Sequence, residues 1–406
     1  MPGLSEYEPI VGRYVIEELR MLASKLSGRT VQMVNSTAVG GGVAEILNRM
    51  MPLLLEMGID ARWDVIKGGD KFFWVTKTIH NALHGAAEGL SQDMIDEFMQ
   101  TSEANNRAID CNADIVFIHD PQPIALVQQK ESRGNKWIWR CHVDVSNPNP
   151  QVWEFLRRFI VKYDASVFSA PQFSQVLPIR QALISPSIDP LADKNRELTR
   201  NEIEEVLHRF GIKRDKPIIT QVSRFDFLKD PVGVIEAFRM VRKSVDCQLI
   251  LAGGTASDDP ESEIVLNEVM KSADGDEDIH VLLIPPGSNV EINALQRASS
   301  VVVQKSIKEG FGLTVSEALW KGKPVVASAV GGIPLQIKHR FSGMLCHSVE
   351  GASNSIKYLL NNPDFAKQLG DNGREQVRSH HLLTRHLTEY LLLFLSLYSD
   401  ADVVNL

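Results

Sequence analysis

The chain has 406 residues, with 43 Lys and Arg against 51 Asp and Glu, a formal net charge of −8. That balance argues against a general nucleic-acid binder, and no apolar run approaches the ~18 residues needed to span a bilayer. A composition of 44% apolar and 23% charged residues is that of a globular protein large enough for two domains. Cys111, Cys141, Cys247 and Cys346 are far apart and show no metal-ligand spacing, so they read as reduced thiols. With no basic-then-apolar opening segment, the expected compartment is the cytoplasm. Neither a membrane, a nucleic acid nor a metal is expected as a partner.

From the N-terminus, a helix is predicted over about Gly12 to Leu26, then a short apolar strand from Val31 to Asn35. Ser36-Thr-Ala-Val-Gly-Gly-Gly42 breaks that strand. Apolar residues at Val43, Ile46, Leu47, Met50, Met51 and Leu54 then mark a helix from Val43 to Met57. A strand, a glycine loop and a helix N-terminus present free backbone N–H groups, which makes Gly40, Gly41 and Gly42 a candidate anion site. Ile59 to Ile66 reads as a strand and Ser91 to Ala108 as a helix. Asp114 to His119 is a strand stopped by His119-Asp-Pro-Gln-Pro123. Trp137 to His142 is another, running into Arg140, His142 and Asp144. A helix from Trp153 to Lys162 and a strand from Ala165 to Ser169 follow. Polar groups thus gather at C-terminal strand ends, the edge of an open α/β sheet where ligands bind.

Ala182 to Pro190 leads out of this half, and polar Asp189 to Glu197 connects it to the next. A strand from Ile218 to Val222 ends in Ser223-Arg224, with Lys229 five residues on. Arginine as a planar fork and lysine as a point charge can converge on one diphosphate. A helix from Val232 to Arg242 and strands at Gln248–Ala252, Ile279–Ile284, Val301–Gln304 and Pro324–Ala327 continue the alternation. Residues 352–362, 363–379 and 382–398 are helical, the last leucine-rich. The stretch richest in chemistry is Glu309-Gly-Phe-Gly-Leu-Thr-Val-Ser-Glu317. A helix from about Leu313 to Lys321 follows its glycines, closed by Gly322. The amides of Gly312, Leu313 and Thr314 again face an anion, and Glu309 and Glu317 can touch one bound molecule. The alternation gives an α/β chain of two Rossmann-like doubly wound halves.

The Glu-x7-Glu spacing resembles the signature of retaining glycosyltransferases of family 4. Their GT-B fold has two Rossmann-like domains facing each other across a cleft. Val34-Asn-Ser-Thr37 with Gly40-Gly-Gly-Val-Ala-Glu-Ile46, then His119–Pro123, Trp139–His142, Ser185-Pro-Ser-Ile-Asp-Pro190, Gln221-Val-Ser-Arg-Phe-Asp226 and Gly310–Thr314, together resemble the trehalose glycosyltransferring synthases. The likeness runs from about Val31 to the final helices. It implies an acceptor-binding domain over residues 1–184, onto which a helix at about 382–406 returns, and a nucleotide-sugar-binding domain over 185–381.

The resemblance also implies reversible transfer of glucose, with retention and without cofactor or metal, from UDP- or ADP-glucose to free glucose, giving α,α-trehalose. Arg224 and Lys229 would clamp the diphosphate and Glu317 would bind the ribose. Glu309 would hold the donor sugar and stabilise positive charge at its anomeric carbon, and His142 would sit beside that sugar. Gly40, Gly41, Gly42, His119, Asp120, Arg140 and Asp144 would line the acceptor side. No carboxylate is an obvious nucleophile, which favours same-face displacement assisted by the leaving phosphate. A homodimer is implied, with Leu391 to Leu397 a weak interface signal beside the stronger reading of core packing. The competing readings are a retaining trehalose phosphorylase, a transferase for another small acceptor, and a non-catalytic nucleotide-sugar-binding module. The chain departs from the family pattern at Phe227-Leu-Lys-Asp-Pro231 and at Ile284-Pro-Pro-Gly-Ser288, near the expected nucleobase pocket.

Overall fold

A computed structural model describes residues 2–39, 41–132, 134–254, 261–285 and 287–399. The chain divides into two compact units: residues up to Ser187 with those from Leu383 on, and Ile188–Leu382. The crossing falls a little beyond the expected residue 184. Ile188 N–H donates to the His381 carbonyl at 2.9 Å, and Ile188 bridges in parallel to Leu382. The second unit therefore begins and ends on adjacent strands of chain. The last stretch of the expected returning segment, residues 400–406, lies outside the described residues.

The first unit is built on a parallel sheet of β1 (Thr30–Asn35), β2 (Asp60–Val65), β3 (Ile115–His119), β4 (Lys136–Cys141), β5 (Ala165–Phe168) and β6 (Arg180–Leu183), in the order β2-β1-β3-β4-β5-β6. Ile115, Val116, Phe117 and Ile118 are all fully buried, as expected of a parallel strand covered on both faces. β6 was expected to be exit chain. It pairs with β5 at the sheet edge, and Arg-Gln-Ala-Leu has no β-branched residue to announce it. The helix Asp70–Leu83 is a further addition. Its aromatic and β-branched content favours a strand locally, but Phe72 packs against Phe98 with ring centroids 5.8 Å apart.

The C-terminal helix Leu383–Ser396 belongs to this unit and packs on the helices Arg13–Ser24 and Gly42–Glu56. It buries Leu387, Tyr390, Leu391, Leu393 and Phe394, so its leucines serve the core.

The second unit has β7 (Ile218–Val222), β8 (Gln248–Gly253), β9 (Ile279–Leu283), β10 (Val301–Gln304), β11 (Val325–Ser328) and β12 (Met344–Cys346), in the order β12-β11-β10-β7-β8-β9, again all parallel. Alternate residues feed opposite faces. Ile219, Leu249 and Leu251 join a cluster with Phe238 and Ile356, while Ile218 and Ile250 join one with Ile292 and Leu295. The four cysteines are free and buried. No helix among the described residues is long and apolar enough to cross a membrane.

Strand order fixes where ligands bind. In the first sheet the chain steps from β1 to β2 on one side and returns to β3 on the other; in the second, β7 and β10 stand in the same relation. The crevice beyond the carboxyl ends of such a strand pair is the binding edge of an open α/β sheet.

Phe394 is fully buried, 6.0 Å between centroids from both Phe117 and Tyr390. Phe394→Ala should cost about 3–5 kcal/mol, read as a lower denaturant midpoint. An unchanged midpoint would show that the C-terminal helix does not complete the first core.

Candidate active site

In the second unit, the loop after β7 passes Arg224 and enters a short turn, Phe227–Lys229. Asp226 Oδ1 caps it by accepting the Leu228 N–H at 2.7 Å. Gln221 Nε2 donates to the Lys229 carbonyl at 2.8 Å, and Ile307 N–H donates to the Leu228 carbonyl at 2.8 Å. The loops after β7 and β10 are thereby joined. Lys229 Nζ lies 2.6 Å from Glu309 Oε2, with side chains only 19% and 9% exposed. Ser306 Oγ donates to the same oxygen at 3.2 Å. Ser306 in turn accepts from Gln304 Nε2 at 3.0 Å, and Thr314 Oγ1 donates to Gln304 Oε1 at 3.2 Å. Arg224 is more exposed, 3.6 Å from Asp226 Oδ2 on its own loop.

Gly312 takes φ 82° as N-cap of the helix Leu313–Trp320, a backbone region that glycine enters without strain. The first-turn amides of Leu313 and Thr314 have no intrahelical acceptor. Gln336 Nε2 fixes the approach by donating to the Phe311 carbonyl at 2.5 Å, and Ser316 Oγ donates to Gln336 Oε1 at 2.5 Å. The Glu309 backbone is pressed against a second glycine turn. A Cβ at Gly331, where φ is +53°, would lie 1.5 Å from the Glu309 carbonyl oxygen.

Glu317 is 2% exposed, with Oε1 3.6 Å from Lys194 Nζ and Oε2 without a hydrogen-bond partner among the described residues. Lys321 Nζ donates to the Glu317 carbonyl and to Asn195 Oδ1, both at 3.1 Å. Burial pushes Lys321 down to about 7, against the pull of the Glu317 carboxylate. Lys194 and Asn195 come from the polar connector. This segment is fastened to the second unit, since Asn293 Nδ2 donates to the Asp193 and Arg196 carbonyls at 2.8 Å each.

In the first unit, Gly41 (φ 82°) caps the helix Gly42–Glu56 after β1; Gly40 lies outside the described residues. Beyond β3 and β4, His119, Asp120, Arg140 and His142 meet. His119 Nδ1 is 3.2 Å from His142 Nε2, and the rings stack at 18° with centroids 5.5 Å apart. Arg140 Nε donates to His142 Nδ1 at 3.4 Å and its NH2 donates to the Ile184 carbonyl at 2.8 Å. Asp120 sits at φ 66°, and its Oδ1 accepts the His142 N–H at 2.8 Å. Burial raises the Asp120 carboxyl to about 6, opposed by that N–H and by Arg140. Burial, reinforced by Arg140, holds both histidines well below their ordinary value. Asp144 stands apart, accepting Ser146 N–H at 3.0 Å and Ser146 Oγ at 2.6 Å.

The family description "Trehalose synthase, N-terminal domain" matches residues 33–175, and "Glycosyl transferases group 1" matches residues 202–376. The trehalose synthase of Pyrococcus horikoshii is 45% identical over 394 residues, 96% of this chain and 95% of that protein. The chain belongs to the trehalose synthase family. Trehalose-related glycosyl transfer is therefore its chemistry, on a GT-B fold. The E. coli structure described as trehalose-6-phosphate bound with UDP-2-fluoro glucose matches with a TM-score of 0.73 at 12% identity, over 92% of this chain and 99% of that one; this likeness concerns the fold alone. The trehalose phosphorylase of Pleurotus pulmonarius is more distant, 29% identical over 84% of this chain but 54% of its own length.

In this trehalose synthase family member, several residues around the site escape sequence reasoning. Ser306, Gln304, Lys194 and Lys321 are ordinary polar residues in the sequence, and only their contacts single them out. His386 and Tyr390 lie in a leucine-rich helix that reads as plain core. Among the described residues no group of three or more His, Cys, Asp or Glu could hold a metal ion.

Gly331→Ala should lower the melting temperature and broaden the transition, because the new methyl overlaps the Glu309 carbonyl; an unaltered melt would mean that this turn is free to shift. Asp120→Asn tests linkage. With its carboxyl raised from 3.8 to about 6, the folded protein binds more protons than the unfolded chain in that window, so Asp120 lowers stability as pH rises through it. Asparagine tolerates the positive φ and keeps an acceptor for the His142 N–H. The variant should gain stability relative to the parent between about pH 4 and 6, measured by denaturant titration at each pH.

Proposed function

We propose that this protein is a retaining hexosyltransferase that moves glucose from UDP- or ADP-glucose to free glucose, giving α,α-trehalose reversibly. The observation that carries the reading is the Lys229–Glu309 pair at the β7–β10 crevice, beside the Gly312 helix N-terminus. In this reading Lys229 and Arg224 neutralise the leaving diphosphate and the amides of Gly312, Leu313 and Thr314 add the field of the helix terminus. That charge supply makes the chemistry independent of a metal. Glu309 holds donor-sugar hydroxyls and stabilises positive charge at the anomeric carbon. Glu317 Oε2, buried and without a partner among the described residues, accepts from a ribose hydroxyl. His142 borders the donor sugar, and His119, Asp120, Asp144 and the glycines Gly40, Gly41 and Gly42 serve the acceptor.

The bond from the anomeric carbon to the phosphate oxygen breaks with its electron pair, and the acceptor oxygen bonds that carbon on the same face. The acceptor proton passes to the leaving phosphate. No enzyme nucleophile is required, and the configuration is retained. The reading extends to a cytoplasmic homodimer.

The deciding experiment incubates the protein with UDP-, ADP- or GDP-glucose and glucose in the presence of EDTA, and follows trehalose. Trehalose should form from at least one donor, and trehalose with phosphate alone should remain intact; breakdown by phosphate alone would replace this reading with phosphorolysis. Arg224→Ala should raise the donor KM at least tenfold. Glu309→Gln should lower kcat by roughly 10²–10³ with donor binding retained. Unchanged turnover in Glu309→Gln would favour a binding module.

A further inference from the structure

We propose that Arg140 is a positioning residue, holding His142 and His119 as a fixed chain of two neutral Nε2–H imidazoles, with the C-terminal helix as its back wall. The family resemblance implies that Arg140 lines the acceptor side, but its side chain is wholly buried. One guanidinium nitrogen is spent on the Ile184 carbonyl. Another points at His142.

The tautomers follow from donor arithmetic. A guanidinium can only donate, so His142 Nδ1, 3.4 Å from Arg140 Nε, must accept. The neutral His142 ring then carries its proton on Nε2. That nitrogen faces His119 Nδ1 at 3.2 Å, so His119 accepts there and carries its own proton on Nε2. His119 Nε2 is buried and has no partner among the described residues. The chain runs one way, from Arg140 through His142 to His119, and both nitrogens of His142 are engaged. A second proton on either inner nitrogen would set two donors face to face.

The back wall comes from the C-terminal helix Leu383–Ser396. The Arg140 guanidinium lies 5.5 Å from the centroid of the Tyr390 ring. His386 packs on Tyr390 with centroids 4.4 Å apart and meets Ser187 Oγ through Nδ1 at 2.9 Å. Arg385, paired with Glu389, donates to the Ser185 and Pro186 carbonyls at 2.9 and 3.1 Å. The charged and titratable groups facing the two rings are therefore Arg140 and Cys141 from β4, Asp120 from the turn after β3, and Arg385, His386 and Tyr390 from the helix. Asp120 is turned to the His142 backbone N–H and Cys141 Sγ to the Val143 carbonyl. Among the described residues no carboxylate bonds to either ring, and Arg140 opposes a second proton on both. A ring kept uncharged can stand beside a sugar carbon gathering positive charge without opposing it, a consequence that rests on the function proposed above.

Long-range 1H–15N correlation of the histidine rings in the intact protein tests this without reference to activity. His142 and His119 should both show the Nε2–H pattern and fail to titrate as pH is lowered through the ordinary histidine range near ~6.5. In Arg140→Met both should titrate at higher pH than in the parent and lose the single tautomer. Tyr390→Phe, which keeps the packing, should shift them in the same direction by less. Where turnover is measured, the acid limb of the kcat profile should move to higher pH in Arg140→Met with KM for either substrate within about twofold of the parent. Phe394→Leu, at a ring 6.0 Å from Tyr390, should lower stability and leave the acid limb in place. An Nδ1–H or imidazolium pattern in the parent would overturn the inference, as would an acceptor KM raised tenfold in Arg140→Met with no change in pH profile. Failure to make trehalose would leave the ring assignments untouched and count against the function alone.

Discussion

Lys229 and Glu309 are 80 positions apart in sequence and 2.6 Å apart in space. Everything else in the second unit's site is arranged around keeping them so. The strand order brings the ends of β7 and β10 side by side, and backbone bonds between the two loops fix their spacing. The glycine turn behind Glu309 leaves no room for its carbonyl to move. A partly buried ion pair repays its desolvation only when geometry is good and other hydrogen bonds complete the charges. Here Ser306 completes the carboxylate, and a relay through Gln304 ties it to the first turn of the helix. One carboxylate thus reports on a cation, a strand end and a helix terminus together.

The first unit solves a different problem at the equivalent sheet edge. Its polar groups are mostly turned inward; burial and Arg140 keep a second proton off both imidazoles, while burial raises the Asp120 carboxyl against the pull of Arg140. Two imidazoles are kept neutral and one carboxyl is raised by the low polarity around them, whereas the second unit concentrates charge. That contrast suits the transfer proposed above, in which one reactant brings a diphosphate and the other brings only hydroxyls.

Much of this was legible in the sequence, for local reasons. Glycines between a strand and a helix announce an amide-lined loop, and apolar runs at regular intervals announce parallel strands. Prolines after His119 mark a strand end. Glu309 and Lys229 were readable because the motif spacing is set by one loop and one helix. The burial of Arg140 was not. It occupies a strand-end position that usually faces solvent, and the groups enclosing it, Ile184 and Tyr390, lie 44 and 250 residues away in sequence. Strands β6 and β12 were missed because edge segments of three or four residues carry no periodicity. The helix Asp70–Leu83 was missed because its aromatic content argues locally for the other structure.

The bridge between Ile188 and Leu382 has a genealogical corollary. A stretch whose two ends are spliced at one point can be excised or replaced as a cassette, with the host chain needing to rejoin only between the segment after β6 and the C-terminal helix. Recombination at that seam would carry the paired carboxylates and their cations as a sealed block, leaving the imidazole chamber of the host with its original inheritance.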